Sequence, residues 1–355
     1  MYLIRALLAL AMALSPQAAL ACGAMVSESG QAELLGFEAL LRWDGNREDL
    51  TVTVAYRSGD PKFAWLMPLP SPPTVSPVRD NLVAKAFQIT EPPQLDEPES
   101  KDEGATAPPA VGGASGVNVI GRESAVGFRF VTLGGKEAPE VGRWMRVHGY
   151  AFHDRQEPVL QGYLDRGWVV VAAKVTPGHG VSTDNLHPVR FEFRSTEPIY
   201  PMAMAGTGHA EQDLGVRLFV LSPYRPTSTT YEERLVRPNA NGLFSSPGRS
   251  LEMRYSAPLG DLAARMKATP ETWLTRYEAN LSTTDLVTDL VFARSADQTP
   301  IDYSDLENGD RVLLWVARIG VLLVAAVLAI WISLGMARRR RASEAPRMPG
   351  SGPSA

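Results

Sequence analysis

The chain alternates between short runs of period two and longer apolar runs at its ends. Leu50, Val52, Val54 and Tyr56 alternate with Thr51, Thr53 and Ala55, which predicts a strand with one buried face. Glu33 to Trp43 and Asp49 to Arg57 flank the turn Asp44-Gly45-Asn46 and read as a hairpin. Further strands are expected at Phe63 to Met67, Val117 to Ile120, Val126 to Leu133, Trp168 to Val175, Val189 to Phe193 and Val216 to Leu221. Many of these are β-branched and bounded by Gly or Pro. Helices are expected at Glu140 to His148, Pro158 to Arg166 and Leu259 to Lys267, the last from Leu259, Leu262, Ala263 and Met266 at helical spacing. Strands and helices do not alternate strictly. The expected class is therefore α+β, a strand-rich domain with a few helices and one C-terminal transmembrane helix, rather than a doubly wound sheet.

Two apolar runs set the expected topology. Arg5 precedes the nine-residue run Ala6 to Leu14, which is too short to span a bilayer and is broken by Pro16. Ala19-Leu20-Ala21 then places small residues where a signal peptidase requires them, with the cut before Cys22. Residues 1–21 thus read as a secretory signal. A lipoprotein signal also places a Cys after the cut. Its usual Leu and small residue stand here in reverse order, as Ala19 and Leu20, so a lipid-bearing and a free Cys22 are both open. The second run is Val312 to Met336. Its uncharged core, Ile319 to Ala337, would cover roughly 28 Å as a helix, close to a hydrocarbon core. Arg318 can snorkel, Trp315 and Trp331 sit near the two ends, and Arg338 to Arg341 mark the cytoplasmic side. The expected organisation is a signal peptide (1–21), an extracytoplasmic domain (22–294), an acidic stalk (295–311), a span (312–336) and a basic, then Pro/Gly/Ser-rich tail (337–355). The protein would sit in the cytoplasmic membrane with its outer domain periplasmic or extracellular.

Composition narrows the chemistry. One cysteine among 355 residues excludes an intramolecular disulfide framework and Cys-rich metal sites. The whole chain carries a formal charge of -4. Removing the seven basic residues and the one acidic residue outside 22–311 leaves that stretch at about -10, which argues against nucleic acid as partner. Glu91 to Gly116 is rich in Pro, Gly, Ala, Ser and acidic residues and has no aromatic, so it reads as a solvated insertion.

At Phe63-Ala64-Trp65-Leu66-Met67-Pro68-Leu69-Pro70 the chain resembles a bacterial family catalogued as domain of unknown function twenty-three-thirty. Other blocks agree in order: Cys22-Gly23, Trp144 to Tyr150, Tyr163 to Pro177, Pro188 to Met204 and Thr288 to Phe292. The resemblance covers about residues 22 to 294 in scattered blocks. It implies an outer domain often followed by a membrane span, and it implies no activity and no catalytic residues. The single cysteine and the Glu91 to Gly116 insertion depart from the family pattern.

No motif for nucleotide, metalloprotease or hydrolase-elbow chemistry is present. Gly112 to Gly116 only imitates the elbow inside the low-complexity insertion. His148, His153, His179, His187 and His209 are scattered. Met202 and Met204 with His209 could hold Cu(I), or the two methionines could fill a strand face as core. Glu232-Glu233 reads as a loop charge pair and Asp302 to Asp310 as a solvated stalk. The segment singled out is Phe63 to Pro70. Pro68, Pro70, Pro72 and Pro73 stiffen it, so Phe63 and Trp65 with Pro68 and Pro70 could form an edge that binds a partner strand or peptide. The competing reading places Phe63 and Trp65 in the core. The function expected is a non-enzymatic binding or scaffolding module of the envelope, without cofactor, with an envelope protein or peptide as partner. The alternatives are a hydrolase with a site assembled from distant residues, and copper handling.

Overall fold

The computed structural model describes residues 24–27, 32–58, 63–78, 80–92, 118–125, 128–175, 182–207, 213–238, 244 and 248–303. The expected signal peptide, the insertion after Pro92, the span and the tail lie outside them. Among the described residues no helix is long and apolar enough to cross a membrane. Residues Met1–Asp302 form one unit, which is the subject below, and Tyr303–Ala355 a second.

The strands are β1 (Ala24–Ser27), β2 (Ala32–Trp43), β3 (Arg47–Ser58), β4 (Phe63–Leu69), β5 (Thr74–Pro77), β6 (Asn118–Ala125), β7 (Phe128–Gly134), β8 (Val169–Val175), β9 (Ser182–Arg194), β10 (Ile199–Tyr200), β11 (Leu214–Ser222), β12 (Pro226–Ser228), β13 (Glu233–Leu235), β14 (Leu251–Pro258), β15 (Trp273–Leu281) and β16 (Leu290–Arg294). The helices are α1 (Leu82–Ile89), α2 (Ala138–Val147) and α3 (Glu157–Leu164). The domain is strand-rich with few helices, as the pattern predicts. The stretch Gly260–Met266 is a 3-10 helix rather than the expected α-helix, and Leu262 faces outward.

The predicted hairpin forms because Asp44 closes its turn. Its Oδ1 accepts the N–H groups of Asn46 at 3.0 Å and Arg47 at 2.9 Å, while Gly45 takes φ +108°, where a side chain would be strained. The register that follows sets Leu41 opposite Leu50, and alternation then puts Phe37, Ala39 and Leu41 on the same face as Leu50, Val52 and Val54.

Eight strands make one sheet in the order β13-β14-β15-β11-β2-β3-β9-β5, and five make a second in the order β1-β4-β8-β7-β6. A small ladder, β10-β16-β12, stands beside them. The inner faces of the two large sheets meet in one hydrophobic cluster. Trp65 of β4 lies edge-on to Phe191 of β9 at 5.8 Å, and Phe130 of β7 approaches the same ring at 5.9 Å. The opposite face of the five-stranded sheet is covered by α2 and α3, with Ala64, Leu66, Val131, Val170 and Ala172 packed on Val141, Trp144, Met145 and Leu160. The layers therefore run eight-stranded sheet, five-stranded sheet, helices. The outer face of the eight-stranded sheet is left to α1 and the 3-10 helix, and it carries most of the charged side chains described next.

Candidate functional site

The expected binding edge is not an edge. β4 is flanked by β1 on one side and β8 on the other, and all seven of its residues are buried. Phe63 tilts against Tyr56 at 4.9 Å, and Trp65, 1% exposed, faces Phe128 and Phe191 in the sandwich core. Pro68 is buried opposite Val170. Pro70 lies just past the strand, half-buried. The cause is β1: residues 24–27 add a strand that covers one side of the expected edge.

The other sequence candidates also resolve into structure. Met202 and Met204 are both fully buried but part company, Met202 into the sandwich core and Met204 into the helix-side core. They do not converge as soft ligands, and His209 lies outside the described residues. His148 stacks on Trp144 at 3.9 Å, and its Nδ1 is 2.8 Å from the Trp144 carbonyl. His153 Nε2 is 3.2 Å from the Ser27 carbonyl. His179 is outside the described residues. Glu233 is no loop charge: it begins β13 and accepts hydrogen bonds from the Thr227 hydroxyl at 2.9 Å and the Ser228 N–H. Burial pushes its carboxyl above the usual carboxylate range.

A cleft of about 410 Å³ opens instead on the outer face of the eight-stranded sheet. β2 and β3 present Leu40, Arg42, Asp49 and Thr51. β9 presents Arg190, β5 contributes Ser76 and Pro77, Asp80 and Leu82 come from the start of α1, and Lys267 follows the 3-10 helix. The ladders place them. Arg42 stands opposite Asp49, and Arg190 opposite both Thr51 and Ser76. Arg190 grips Asp49 with two bonds of 2.7 Å and reaches Glu192 at 2.8 Å. Asp49 holds the Arg190 guanidinium above its ordinary pKa. Asp80 takes Lys85 at 2.8 Å and Lys267 at 2.9 Å, and both lysines lower its carboxyl.

Arg42 differs from the other cations. Its guanidinium donates to the carbonyls of Met266 at 2.5 Å and Lys267 at 3.3 Å, and it has no carboxylate within 4.0 Å among the described residues. Burial lowers its pKa, against the pull of Asp49, which stands opposite it in the ladder. The two carbonyls it holds flank the bend where Lys267 adopts φ +51°, a left-handed conformation unusual outside glycine. Arg42 thus pins the turn that forms one wall of the cleft. None of these residues was marked by the sequence. Alternation puts Arg42, Asp49 and Arg190 on outward faces, but only sheet order makes them neighbours.

A second assembly brings scattered blocks of the chain into contact. Asp289, 4% exposed, accepts the Tyr163 hydroxyl, the Met202 N–H at 2.9 Å and the Ala203 N–H at 3.1 Å, and pairs with Arg166 at 3.3 Å. Arg166 in turn lies over the rings of Tyr163 at 4.7 Å and Trp168 at 4.3 Å. Three separate sequence blocks, Tyr163 to Pro177, Pro188 to Met204 and Thr288 to Phe292, therefore meet at one buried carboxylate. Comparison with protein families finds a match: the model for DUF2330, described as an uncharacterized protein conserved in bacteria, covers residues 16–299. The chain belongs to this family. No curated protein matches this DUF2330 member. Among solved structures it is similar to the crystal structure of baculovirus P35, with a TM-score of 0.39 and 12% identity over 78% of this chain and 100% of that one, a likeness too low to assign a shared fold.

Proposed function

We propose that this DUF2330 protein is a membrane-tethered binding module facing outside the cytoplasm, and that the charged cleft is its ligand site. The placement rests on the sequence: the signal-like start at Met1 to Ala21, the apolar run Val312 to Met336 and the following Arg338 to Arg341. The binding reading rests on the cleft. Its charges are held in fixed geometry, Arg190 by both oxygens of Asp49 and Lys267 by Asp80. Paired Arg–Asp groups keep their charge, so they orient a ligand rather than move protons. Its volume suits a short peptide segment or a molecule of that size. The partner is an envelope protein or peptide that inserts such a segment.

The test places a photo-crosslinking residue at Val78, on the cleft, in the full-length protein in native membranes. The same residue at Val287, 77% exposed, serves as control. The expected result is one adduct of defined mass, formed only from position 78. Equal labelling from both positions would overturn the reading.

A further inference from the structure

We infer that α1 is a hinged wall of the cleft, pivoting at its C-terminal end on Arg276 and latched shut at its N-terminal end by the Asp80–Lys267 ion pair. The inference rests on the cleft being the ligand site, and it names how access to that site is regulated.

The helix is fastened unequally at its two ends. Its last turn is held from beneath by the sheet. Thr90 is buried and its carbonyl accepts Arg276 Nη1 at 3.1 Å, while Glu91 pairs with the same guanidinium at 2.6 Å. Phe87 lies over Arg276 at 4.8 Å and over Arg217 at 4.7 Å. Arg276 is itself a fixed point, a buried residue of β15 that donates to Glu278 from Nε at 3.0 Å and from Nη2 at 2.6 Å. Pro92, just past the helix, is buried as well. The other end lies near the surface. Among the described residues from Ser76 to Leu82 none is fully buried, and Pro77 and Asn81 are exposed. Within α1 the buried residues are Val83 and Ala86, a narrow apolar footing. A helix of eight residues has little stability of its own, so it stays where its fastenings hold it.

What closes the loose end is an ion pair between two walls. Asp80 precedes α1 and Lys267 follows the 3-10 helix; both line the cleft, and their charged atoms are 2.9 Å apart. Arg42 donates to the Met266 and Lys267 carbonyls and so ties the Lys267 turn to β2. Asp80 instead sits on the chain that leads into α1 and moves with it. Its other partner, Lys85 at 2.8 Å, belongs to α1 itself. Parting from Lys267 therefore leaves the Asp80 carboxylate still paired, and the latch opens without stranding it. The Asp80 and Lys267 side chains are 30% and 63% exposed, so water and salt compete with the pair, whereas the Arg276 side chain is 3% exposed. A weak latch opposite a buried pivot makes α1 swing rather than detach. Leu82 lines the cleft from the first turn of α1 and swings with it, which widens the cleft.

The test measures distances between spin labels in the full-length protein in detergent, in a Cys22→Ser background. One label sits at exposed Glu140 on α2, beyond the five-stranded sheet, and the other at Ala84 or Gln88, exposed positions towards the two ends of α1. Asp80→Lys sets like charges against each other and should raise the ratio of long to short Ala84–Glu140 distances about fivefold, with a smaller change from Gln88. Adding Lys267→Asp restores the pair with its signs exchanged and should restore the short distance. An Ala84 distance that ignores Asp80→Lys, or that the exchanged pair fails to restore, would overturn the latch. Equal lengthening from Ala84 and Gln88 would overturn the pivot. Photo-crosslinking from Val78 in native membranes, on the same variants without labels, separates this inference from the ligand-site reading. Adduct yield should rise in Asp80→Lys and fall back in the exchanged pair. Distances that respond while adduct yield stays constant would overturn control of access. Adducts without any change in distance would keep the ligand site and overturn the latch. Responding distances with no adduct from any variant would overturn the ligand site and leave the hinged helix standing.

Discussion

Arg254 Nε lies 2.9 Å from Glu278 Oε2, an ion pair between adjacent strands in which both side chains are buried. It belongs to a ladder across the outer face of the eight-stranded sheet. Glu278 also takes Arg276 at 2.6 Å and Arg217 at 2.8 Å, and Arg254 reaches Glu252 at 2.8 Å. Phe87 of α1 covers the guanidinium groups of Arg217 and Arg276, and Phe244 those of Arg254 and Arg276.

Glu278→Gln removes the carboxylate that three arginines share. Each arginine keeps a second carboxylate, Glu38, Glu252 or Glu91, but three charged contacts are lost at once in a buried place, so the variant should lose about 3–5 kcal/mol in urea unfolding. An unchanged midpoint would mean that the ladder is relaxed by water or neighbours and adds little to stability.

The pH dependence should have two limbs with different owners. Burial alone would raise the Glu278 carboxyl, but Arg276, Arg217 and Arg254 together hold it below the usual carboxylate range. Its contribution is therefore present above that range and is lost as pH falls through its depressed folded value. Glu48 behaves in the opposite way. It accepts the Ile199 N–H at 2.9 Å, its Oε1 has no hydrogen-bond partner among the described residues, and burial pushes it well above the usual range. Its contribution is full below the usual range and declines as pH rises towards its elevated folded value. Unfolding midpoints measured from acid to mildly alkaline pH should show Glu48→Gln flattening the high-pH decline, and Glu278→Gln flattening the acid one.

Asp289→Ala leaves the Tyr163 hydroxyl and the N–H groups of Met202 and Ala203 without their acceptor. Buried donors without acceptors cost about 1–3 kcal/mol each, and partial relaxation should bring the total to about 2–5 kcal/mol. Because the carboxylate joins α3 to the segments before the Ala203–Thr207 helical turn and β16, hydrogen exchange should rise in both places together. A rise confined to residues 285–292 would show that the knot is not shared.

Two glycines separate soft from hard neighbours. A Cβ at Gly206 would sit 2.5 Å from the Leu286 carbonyl oxygen, which is backbone, whereas one at Gly142 would sit 2.6 Å from the Phe152 ring. A ring can rotate or shift, but a backbone carbonyl moves only with its chain. Gly206→Ala should therefore cost more than Gly142→Ala, with overpacking of about 1–3 kcal/mol as the scale. Thermal melts of the two variants give the comparison, and the reverse order would contradict it.

What the sequence conveyed follows from where each strand keeps its charges. β2, β3, β9 and β11 were legible because Val, Leu and Phe alternate along them. β14 and β15 alternate equally, Leu251, Met253 and Tyr277 inward against Glu252, Arg254, Arg276 and Glu278 outward, but charged residues on the second face look like solvated loop. Their burial depends on α1, Phe87 and Phe244 lying over them, which no local pattern encodes. β1 was missed because it has four residues. Without it, the Pro-stiffened segment Phe63 to Pro70 reads as a candidate binding edge. The cleft was invisible for a related reason: Arg42 and Arg190 are neighbours only because β3 lies between their strands.

The place of β8 in its sheet has a consequence for the growing chain. In the order β1-β4-β8-β7-β6, the strand made last lies in the middle. β4 and β7 are synthesised long before residues 169–175 exist to join them, and until then each shows a bare flank. During translation, Phe63-Ala64-Trp65-Leu66-Met67-Pro68-Leu69 is therefore a hydrophobic strand with an unpaired side, the kind of segment that recruits chaperones or a neighbouring copy. The edge that the finished domain lacks is an edge for as long as β8 remains unmade.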